Sequence, residues 1–242
     1  MRSSAILFCL VLTLIGISPA VGARSSQQSS PRSAFIIVAF GTSLTEGSAV
    51  ADERWTDLLR NVLRQRYTDV DIVVINAGIG GSTTRERLLR LQSDVLDRHP
   101  DLVIHDFAAN DATYEPQRHV KVEEFVRNIE WMHHQIVSKA GAAEIYWPQT
   151  PIINEKHIWR SQSLYLKAGG LDQYVAAYRM ALAKESHKLH VPFVDMDAIF
   201  RRQFREKDAD YYLLPDGIHH RKAGSQLVAA SLLPAVENVI DK

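Results

Sequence analysis

Beyond Ser33, short apolar runs alternate with longer stretches in which apolar residues recur at helical spacing. The apolar runs predict five strands, at residues 34–40, 71–75, 102–107, 144–147 and 191–195. The amphipathic stretches predict helices at residues 54–66, 85–96, 122–137, 172–189 and 221–239. Strands separated by helices imply a parallel sheet with helices on both faces. The pattern therefore predicts one α/β domain over residues 34–242.

Residues 152–170 break this regular alternation. The segment has no clean period and is long for a connection between a strand and a helix. It contains His157, Trp159 and Tyr165. A binding loop or lid is one interpretation, with the aromatic side chains stacking on a sugar or lining an acyl groove. An ordinary surface excursion that contains a short helix is the other, and both stay open here.

The N-terminus has the pattern of a signal peptide. Arg2 precedes a short apolar run at residues 5–17, and small residues follow at Val21-Gly22-Ala23. The run is shorter than the ~20 residues of a membrane-spanning helix. We therefore expect a signal peptide over residues 1–23, cleaved after Ala23, and a disordered polar leader over residues 24–33. The expected location is the bacterial periplasm or the secreted fraction.

Composition narrows the possible chemistry. The single cysteine, Cys9, lies inside the apolar run, so the mature chain offers no disulfide, thiol nucleophile or cysteine metal site. Lys and Arg together number 28, as do Asp and Glu, and this balance gives no support to nucleic-acid binding. A hydrophobic fraction of 46% with 23% charged residues is typical of an ordinary globular domain.

Candidate catalytic residues follow the predicted strands. Ser43 comes after the first strand, Gly81 after the second and Asn110 after the third, while Asp216 and His219 precede the last helix. In open parallel sheets, functional groups gather beyond the carboxyl ends of the strands. A serine hydroxyl needs an adjacent base, which histidine supplies near neutral pH, and the imidazole needs a partner that fixes its tautomer. The spacing of Asp216 and His219 lets the carboxylate reach the near ring nitrogen while the far nitrogen faces the serine, although a plain turn would also fit that spacing.

An oxyanion formed at Ser43 would need preorganised donors. The glycine-rich stretch that ends at Gly81 offers a backbone amide, and Asn110 offers a side-chain amide. The glycines could instead serve only the turn, or hold a phosphate. The stretch matches neither the P-loop nor the dinucleotide-binding fingerprint.

Other candidates are weaker. His133 and His134 are adjacent on a helix and cannot share a face, so a solvated pair is favoured over a metal site. Asp197 is expected to cap a helix rather than bind a metal together with Asp195. His105 and Asp106 occupy opposite faces of the third strand, and no chemistry is assigned to them. We therefore expect no metal and no cofactor.

Four segments resemble the sequence blocks of the SGNH (GDSL-type) hydrolases: residues 40–47, 76–81, 110–111 and 216–219. The resemblance covers nearly all of the chain after the leader, and it implies a flavodoxin-like, three-layer α/β/α fold and metal-free hydrolysis of esters or thioesters. By position it implies that Ser43 is the nucleophile, that His219 is the base and that Asp216 orients His219. It also implies an oxyanion hole formed by Ser43, Gly81 and Asn110.

The chain departs from that family at three positions. Thr42 stands where the family usually has Asp, Ala108 where it usually has Gly, and His220 where a proline often follows. None of the three removes a catalytic group. Thr42 and Ala108 bear on the local hydrogen bonds and on the size of the acyl pocket.

The expected function is that of an exported serine esterase acting on a small-molecule or glycan ester. Short acyl groups are expected, with acetyl groups on carbohydrate as one case. Lysophospholipase or thioesterase activity on longer chains is one alternative, and acyl transfer to a glycan is another. A non-catalytic glycan-binding module is the alternative from a different functional class.

Overall fold

The computed structural model describes residues 34–50, 53–107, 109–153 and 162–242. The predicted signal peptide (1–23) and leader (24–33) lie outside the described residues, as do Ala108, His157 and Trp159. The expectations for them stay predictions.

The described residues form a four-stranded sheet with strands β1 (Ala34–Phe40), β2 (Asp71–Asn76), β3 (Leu102–Phe107) and β4 (Ala143–Pro148). All pairs are parallel, in the order β2-β1-β3-β4. The first four predicted strands are therefore confirmed. Because β1 and β3 are neighbours and parallel, the loops that leave their carboxyl ends begin side by side.

The prediction of a fifth strand at residues 191–195 is wrong. Phe193 forms only an isolated parallel bridge with Tyr146. Two hydrogen bonds make this bridge: Tyr146 donates to the Pro192 carbonyl and Val194 donates to the Tyr146 carbonyl, each at 2.9 Å. Proline has no N–H to offer to a ladder, and the chain turns into a helix directly afterwards. Between Pro192 and the following helix there is room for only one paired residue, Phe193.

Nine α-helices occur in the part of the chain that the structure describes. They are α1 (Ser43–Glu46), α2 (Trp55–Arg66), α3 (Thr84–Asp94), α4 (Val122–Gln135), α5 (Ser163–Lys167), α6 (Leu171–Leu189), α7 (Met196–Gln203), α8 (Ala209–Tyr212) and α9 (Lys222–Ile240). The five predicted helices match α2, α3, α4, α6 and α9, with ends that differ by at most two residues. Short 3₁₀ turns at Ser48–Val50 and Leu96–Arg98 and a π turn at Ile136–Ala140 complete the elements.

Helix ends follow local chemistry that was partly predicted. The capping box at the start of α3 is present: the Thr83 hydroxyl accepts from the Glu86 amide, and the Glu86 carboxylate accepts from the Thr83 amide. The expected cap of α7 by Asp197 is wrong, because Asp195 accepts from the Ala198 amide at 3.0 Å. Asp197 instead pairs with Arg201.

Helices cover both faces of the sheet, which gives two hydrophobic cores. Val38 and Val103 pack on one face with helices α3, α4 and α6. Ile37 and Ile104, one residue away along their strands, pack on the other face with α2 and α9. This alternation is what parallel strands covered on both sides require.

Helix α9 is long and apolar, and part of it is buried in one of the two hydrophobic cores. By length and composition it could also cross a membrane, with a mean hydropathy of 1.2. Within this fold, Val228, Leu232 and Val236 are fully buried in the core that α9 shares with α2.

A buried carboxylate, Glu144 of β4, gathers three donors. It accepts from the Tyr146 hydroxyl at 3.0 Å and from His133 Nδ1 at 2.5 Å, and His105 Nε2 lies 3.1 Å away. Burial alone would raise the pKa of Glu144, but the two histidines outweigh it and lower that pKa to about 2. The prediction of a solvated histidine pair is wrong for His133, which is partly buried by this contact, whereas His134 is exposed.

We predict that His133→Gln lowers stability more at pH 6 than at pH 9. The bond to Glu144 raises the pKa of His133 above its usual value. The charged pair therefore stabilises the fold fully below the unfolded pKa of about 6.5, and this contribution is lost as the pH rises through the folded pKa. The expected cost at pH 6 is about 1 kcal/mol, measured by urea unfolding.

His134→Gln is the matched control, since its side chain is exposed on the same helix. It should change the free energy of unfolding little at either pH. An equal cost of His133→Gln at both pH values would contradict the assignment of a charged pair.

Candidate active site

Ser43 lies at the first position of the short helix α1, directly after β1. The backbone turns at Gly41 and Thr42, and the Thr42 hydroxyl accepts from the Leu44 amide at 3.4 Å as the helix cap. Gly47 ends the helix in the left-handed conformation, with φ of 59°. Thr42, which replaces the family's usual Asp, thus supplies its own local hydrogen bond. The turn presents Ser43 to the cleft.

Asp106, at the end of β3, holds this turn in place. Its carboxylate accepts from the Thr42 amide at 2.8 and 3.1 Å and from the Thr45 hydroxyl at 2.6 Å. A side chain at Gly41 would lie 2.5 Å from this carboxylate and 2.3 Å from the Thr45 hydroxyl, so the close approach requires glycine. Sequence reasoning gave Asp106 no role. A carboxylate in an otherwise apolar strand was the signal that could have found it.

Arg87 is a buried cation behind the same turn. It donates to the carbonyls of Phe40 and Asp106, at the carboxyl ends of β1 and β3, and to His105 Nδ1 at 2.9 Å. Its guanidinium lies 4.7 Å from the ring centroid of Phe40 and 4.4 Å from that of Phe107. Burial lowers its pKa to about 10, which still leaves it charged at neutral pH. Nothing in the periodicity of α3 distinguishes this arginine from a surface residue.

Ser43, His219 and Asp216 form one hydrogen-bonded chain. His219 Nε2 lies 2.9 Å from the Ser43 hydroxyl, and His219 Nδ1 lies 2.7 Å from Asp216. The other Asp216 oxygen accepts from the backbone amides of Ile218 and His219 at 2.8 and 2.9 Å. Burial acts to raise the pKa of Asp216, but these hydrogen bonds outweigh it and hold the pKa below its ordinary value. The carboxylate is therefore charged at neutral pH and can orient the imidazole.

Gly81 and Asn110 line the same cleft as Ser43 and His219. Gly81 has φ of +74°, in the region that favours glycine. Asn110 Nδ2 donates to the Ser82 carbonyl at 3.2 Å, and its amide carries a second hydrogen. Asn76 joins this turn to α1: it donates to the Thr45 carbonyl at 2.7 Å and accepts from the Gly78 amide at 3.0 Å.

The cleft has a volume of about 540 Å³ and combines apolar and polar walls. Tyr165 and Leu171 are buried at its wall, and Tyr114 is partly exposed. The Tyr165 hydroxyl donates to the Ala112 carbonyl at 2.9 Å. This bond anchors the described end of the irregular segment, where α5 lies, to the β3–α4 loop. Gln149, Glu115 and Arg118 supply polar groups.

His219 and His220 are adjacent in sequence but have different surroundings. His220, at the family's proline position, is buried and stacks on Phe200 with centroids 5.1 Å apart. Burial lowers its pKa to about 3, so it stays neutral. Of these two histidines, His219 is the one that lines the cleft of about 540 Å³ beside Ser43.

A serine, a histidine and an aspartate that are joined by hydrogen bonds beside amide donors form a site suited to acyl transfer through the serine, and the protein is an ester-bond hydrolase. Its chain belongs to the GDSL-like lipase/acylhydrolase family, whose sequence model matches residues 39–227.

Two curated relatives cover most of the chain. It is 30% identical to the uncharacterized lipoprotein YqeF of Bacillus subtilis, over 79% of this chain and 85% of the relative. It is 27% identical to the isoamyl acetate-hydrolyzing esterase of Saccharomyces cerevisiae, over 82% of this chain and 84% of the relative.

Solved structures share the fold. A lipase/acylhydrolase from Enterococcus faecalis matches with a TM-score of 0.64 and 24% identity, over 84% of this chain and 96% of that one. An acetylxylan esterase from Geobacillus stearothermophilus matches with a TM-score of 0.68 and 20% identity, over 84% and 94%. These matches support the α/β architecture with a parallel sheet and flanking helices.

We predict that Asp106→Asn lowers both stability and turnover. The change removes the negative charge and replaces the oxygen that accepts from the Thr45 hydroxyl with an NH₂ group, while the remaining oxygen can still accept from the Thr42 amide. The expected cost is about 1–3 kcal/mol in the free energy of unfolding. Because the turn carries Ser43, kcat should fall as well, as measured with p-nitrophenyl acetate.

Asp101→Asn is the matched control. Asp101 also accepts a β1 amide, that of Ile36 at 2.8 Å, but at the opposite end of the strand. It should lower stability without changing kcat. If Asp106→Asn kept full kcat at a temperature where it is folded, the role of Asp106 in placing Ser43 would be wrong.

Proposed function

We propose that the protein is an exported serine esterase that hydrolyses short-chain acyl esters through an acyl-enzyme. The observation that carries the proposal is the hydrogen-bonded chain from Ser43 to His219 to Asp216, with separations of 2.9 and 2.7 Å. Both contacts are within the reach that nucleophile and base require.

In the first half-reaction the Ser43 oxygen attacks the ester carbonyl, and its proton passes to His219 Nε2. Asp216 holds the Nδ1 proton and stabilises the imidazolium. The amides of Ser43 and Gly81 and the side chain of Asn110 donate to the oxyanion. The C–O bond to the alcohol then breaks, and the alcohol leaves with the proton from His219.

In the second half-reaction a water molecule attacks the acyl-enzyme. His219 accepts a proton from that water and returns it to the Ser43 oxygen as the acid departs. The same donors stabilise the second oxyanion. Ser43, Gly81, Asn110 and His219 line one cleft, and Asp216 acts on it through its hydrogen bond to His219.

The preference for short acyl groups rests on the relatives together with the cleft. One relative is named for hydrolysis of isoamyl acetate, and an acetylxylan esterase shares the fold. The cleft places two tyrosines beside polar groups, a combination suited to a sugar or a small alcohol. We therefore propose short-chain acyl esters, including acetyl esters of carbohydrates, as the substrate class.

We propose export because residues 1–23 have the pattern of a signal peptide and because the Bacillus subtilis relative is named a lipoprotein. In this chain Cys9 lies within the apolar run rather than after it, so the proposal is a released protein without a lipid anchor. N-terminal sequencing of protein from the native host should give Arg24 as the first residue. A protein that begins at Met1 would contradict export by cleavage.

We predict that Ser43→Ala abolishes ester hydrolysis, with kcat lower by about a millionfold. Asn110→Ala should lower kcat by about 100- to 1,000-fold, as expected for loss of one oxyanion donor. Ser93→Ala, on the exposed face of α3, is the control and should match wild type. Full activity in Ser43→Ala would refute the nucleophile. Equal inactivity of wild type and Ser43→Ala, together with measurable glycan binding, would favour a binding module.

A panel of p-nitrophenyl esters from acetate to decanoate tests the substrate class. We expect kcat/KM to be highest for acetate to butyrate and lower by about tenfold or more for octanoate. A maximum at octanoate or beyond would instead support a lipase or thioesterase. Acetylated xylo-oligosaccharide should release acetate, and transfer of acetyl to an added glycan in place of water would indicate an acyltransferase.

A further inference from the structure

The glycine-rich turn beside Ser43 is held by side chains of another loop. Arg118 Nη2 donates to the Gly81 carbonyl at 2.5 Å, Asn110 donates to the Ser82 carbonyl at 3.2 Å, and Asp111 accepts from the Thr84 amide at 3.0 Å. All three side chains belong to the segment between β3 and α4. The carbonyls of Gly81 and Ser82 and the amide of Thr84 are thus all held by side chains of one loop.

Gly81 needs such a restraint because its own backbone supplies little. Its φ of +74° is a conformation that glycine adopts freely and leaves equally freely. The backbone hydrogen bond recorded across this turn joins the Ser82 amide to the Ile79 carbonyl at 3.2 Å. Without a restraint, rotation about the Gly81 bonds would change the direction of its amide, which the proposed reaction needs aimed at the oxyanion.

Arg118 is placed to prevent that rotation. Its backbone amide bonds to the Glu115 carbonyl at 3.0 Å, which fixes the base of the side chain. Its guanidinium lies 3.5 Å from Glu86 and 3.6 Å from Glu115. Glu86 is itself locked in the capping box of α3. The guanidinium therefore lies between two carboxylates while it donates a hydrogen bond to the carbonyl of Gly81.

The paired carboxylates also distinguish this role from substrate binding. An arginine recognises an anionic substrate best when two parallel N–H groups of its planar fork are available to that substrate. Arg118 has two acidic neighbours and a carbonyl as partners, and its side chain is 39% exposed. Its geometry suits a brace for the turn rather than a receptor for a charged ligand.

We propose that Arg118 is a positioning residue that fixes the Gly81 amide for oxyanion stabilisation. This inference rests on the proposed esterase function, because it concerns the transition state of that reaction. A brace of this kind acts on the transition state more than on bound substrate, since the developing charge is what the amide stabilises.

The test compares Arg118→Ala and Arg118→Lys with wild type. For Arg118→Ala we expect kcat for p-nitrophenyl acetate to fall by about ten- to a hundredfold, the scale of a small displacement of a catalytic group. KM should stay near the wild-type value. Affinity for a small alkylboronic acid, which forms a tetrahedral adduct on the serine, should fall in proportion to kcat/KM. Arg118→Lys should recover part of the loss, because an ammonium can donate to the same carbonyl.

Arg66→Ala is the matched control. Arg66 is a partly exposed arginine at the end of α2, in an ion pair with Glu237 at 2.5 Å, and it is not among the residues that line the cleft. It should leave kcat and boronate affinity unchanged. Thermal unfolding of each variant, with kinetics recorded well below the midpoint, separates a catalytic effect from loss of folded protein.

Three results would overturn the inference: Arg118→Ala with wild-type kcat, a loss confined to KM, or a loss of kcat with unchanged boronate affinity. If Arg118→Ala does not fold, Arg118→Met decides, because it keeps an unbranched side chain but has no donor for the Gly81 carbonyl, and wild-type kcat and boronate affinity in that variant would overturn the inference. Ser43→Ala keeps the two proposals distinct. Wild type no more active than Ser43→Ala would remove the proposed function itself, whereas an active wild type with unaffected Arg118 variants removes this inference alone.

Discussion

The carboxylate and carbonyl of Asp106 together set the positions of the three elements that the site requires. The side chain accepts from Thr42 and Thr45, which fixes the turn after β1. The main-chain carbonyl accepts from Arg87 of α3, which also donates to the end of β1. One residue therefore connects the turn that carries Ser43, the central strand pair β1 and β3, and helix α3, which follows the glycine-rich turn. Its charge and that of Arg87 compensate each other in surroundings where either alone would be costly to bury.

Much of the fold could be predicted because it depends on local pattern. Apolar runs marked β1 to β4, helical spacing marked the five long helices, and Thr83 with Glu86 marked the start of α3. The spacing of Asp216 and His219 likewise predicted their contact, because both residues lie within one turn. Each of these features is set by residues close together along the chain, so the sequence displays it directly.

What the sequence did not reveal depends on contacts between distant residues. Asp106 meets Thr42 across 64 positions, and Arg87 meets Phe40 across 47. His133 is partly buried by its hydrogen bond to Glu144, although His133 and His134 look alike in sequence. The failed fifth strand shows the same limit, since the apolar run was real but Pro192 and the start of α7 leave room for a single bridge. Tertiary context decided all of these features.

The Ser43–His219 contact joins positions 176 residues apart. All four strands are complete by Pro148, and the turn with its support from Asp106 and Arg87 is encoded before that point. His219 and Asp216, the base and its carboxylate in the proposed mechanism, lie near the other end of the chain, just ahead of α9. During synthesis Ser43 would thus emerge long before its proposed partners. In that mechanism, a nascent or C-terminally shortened chain that lacks His219 would not hydrolyse esters even if its sheet had already formed.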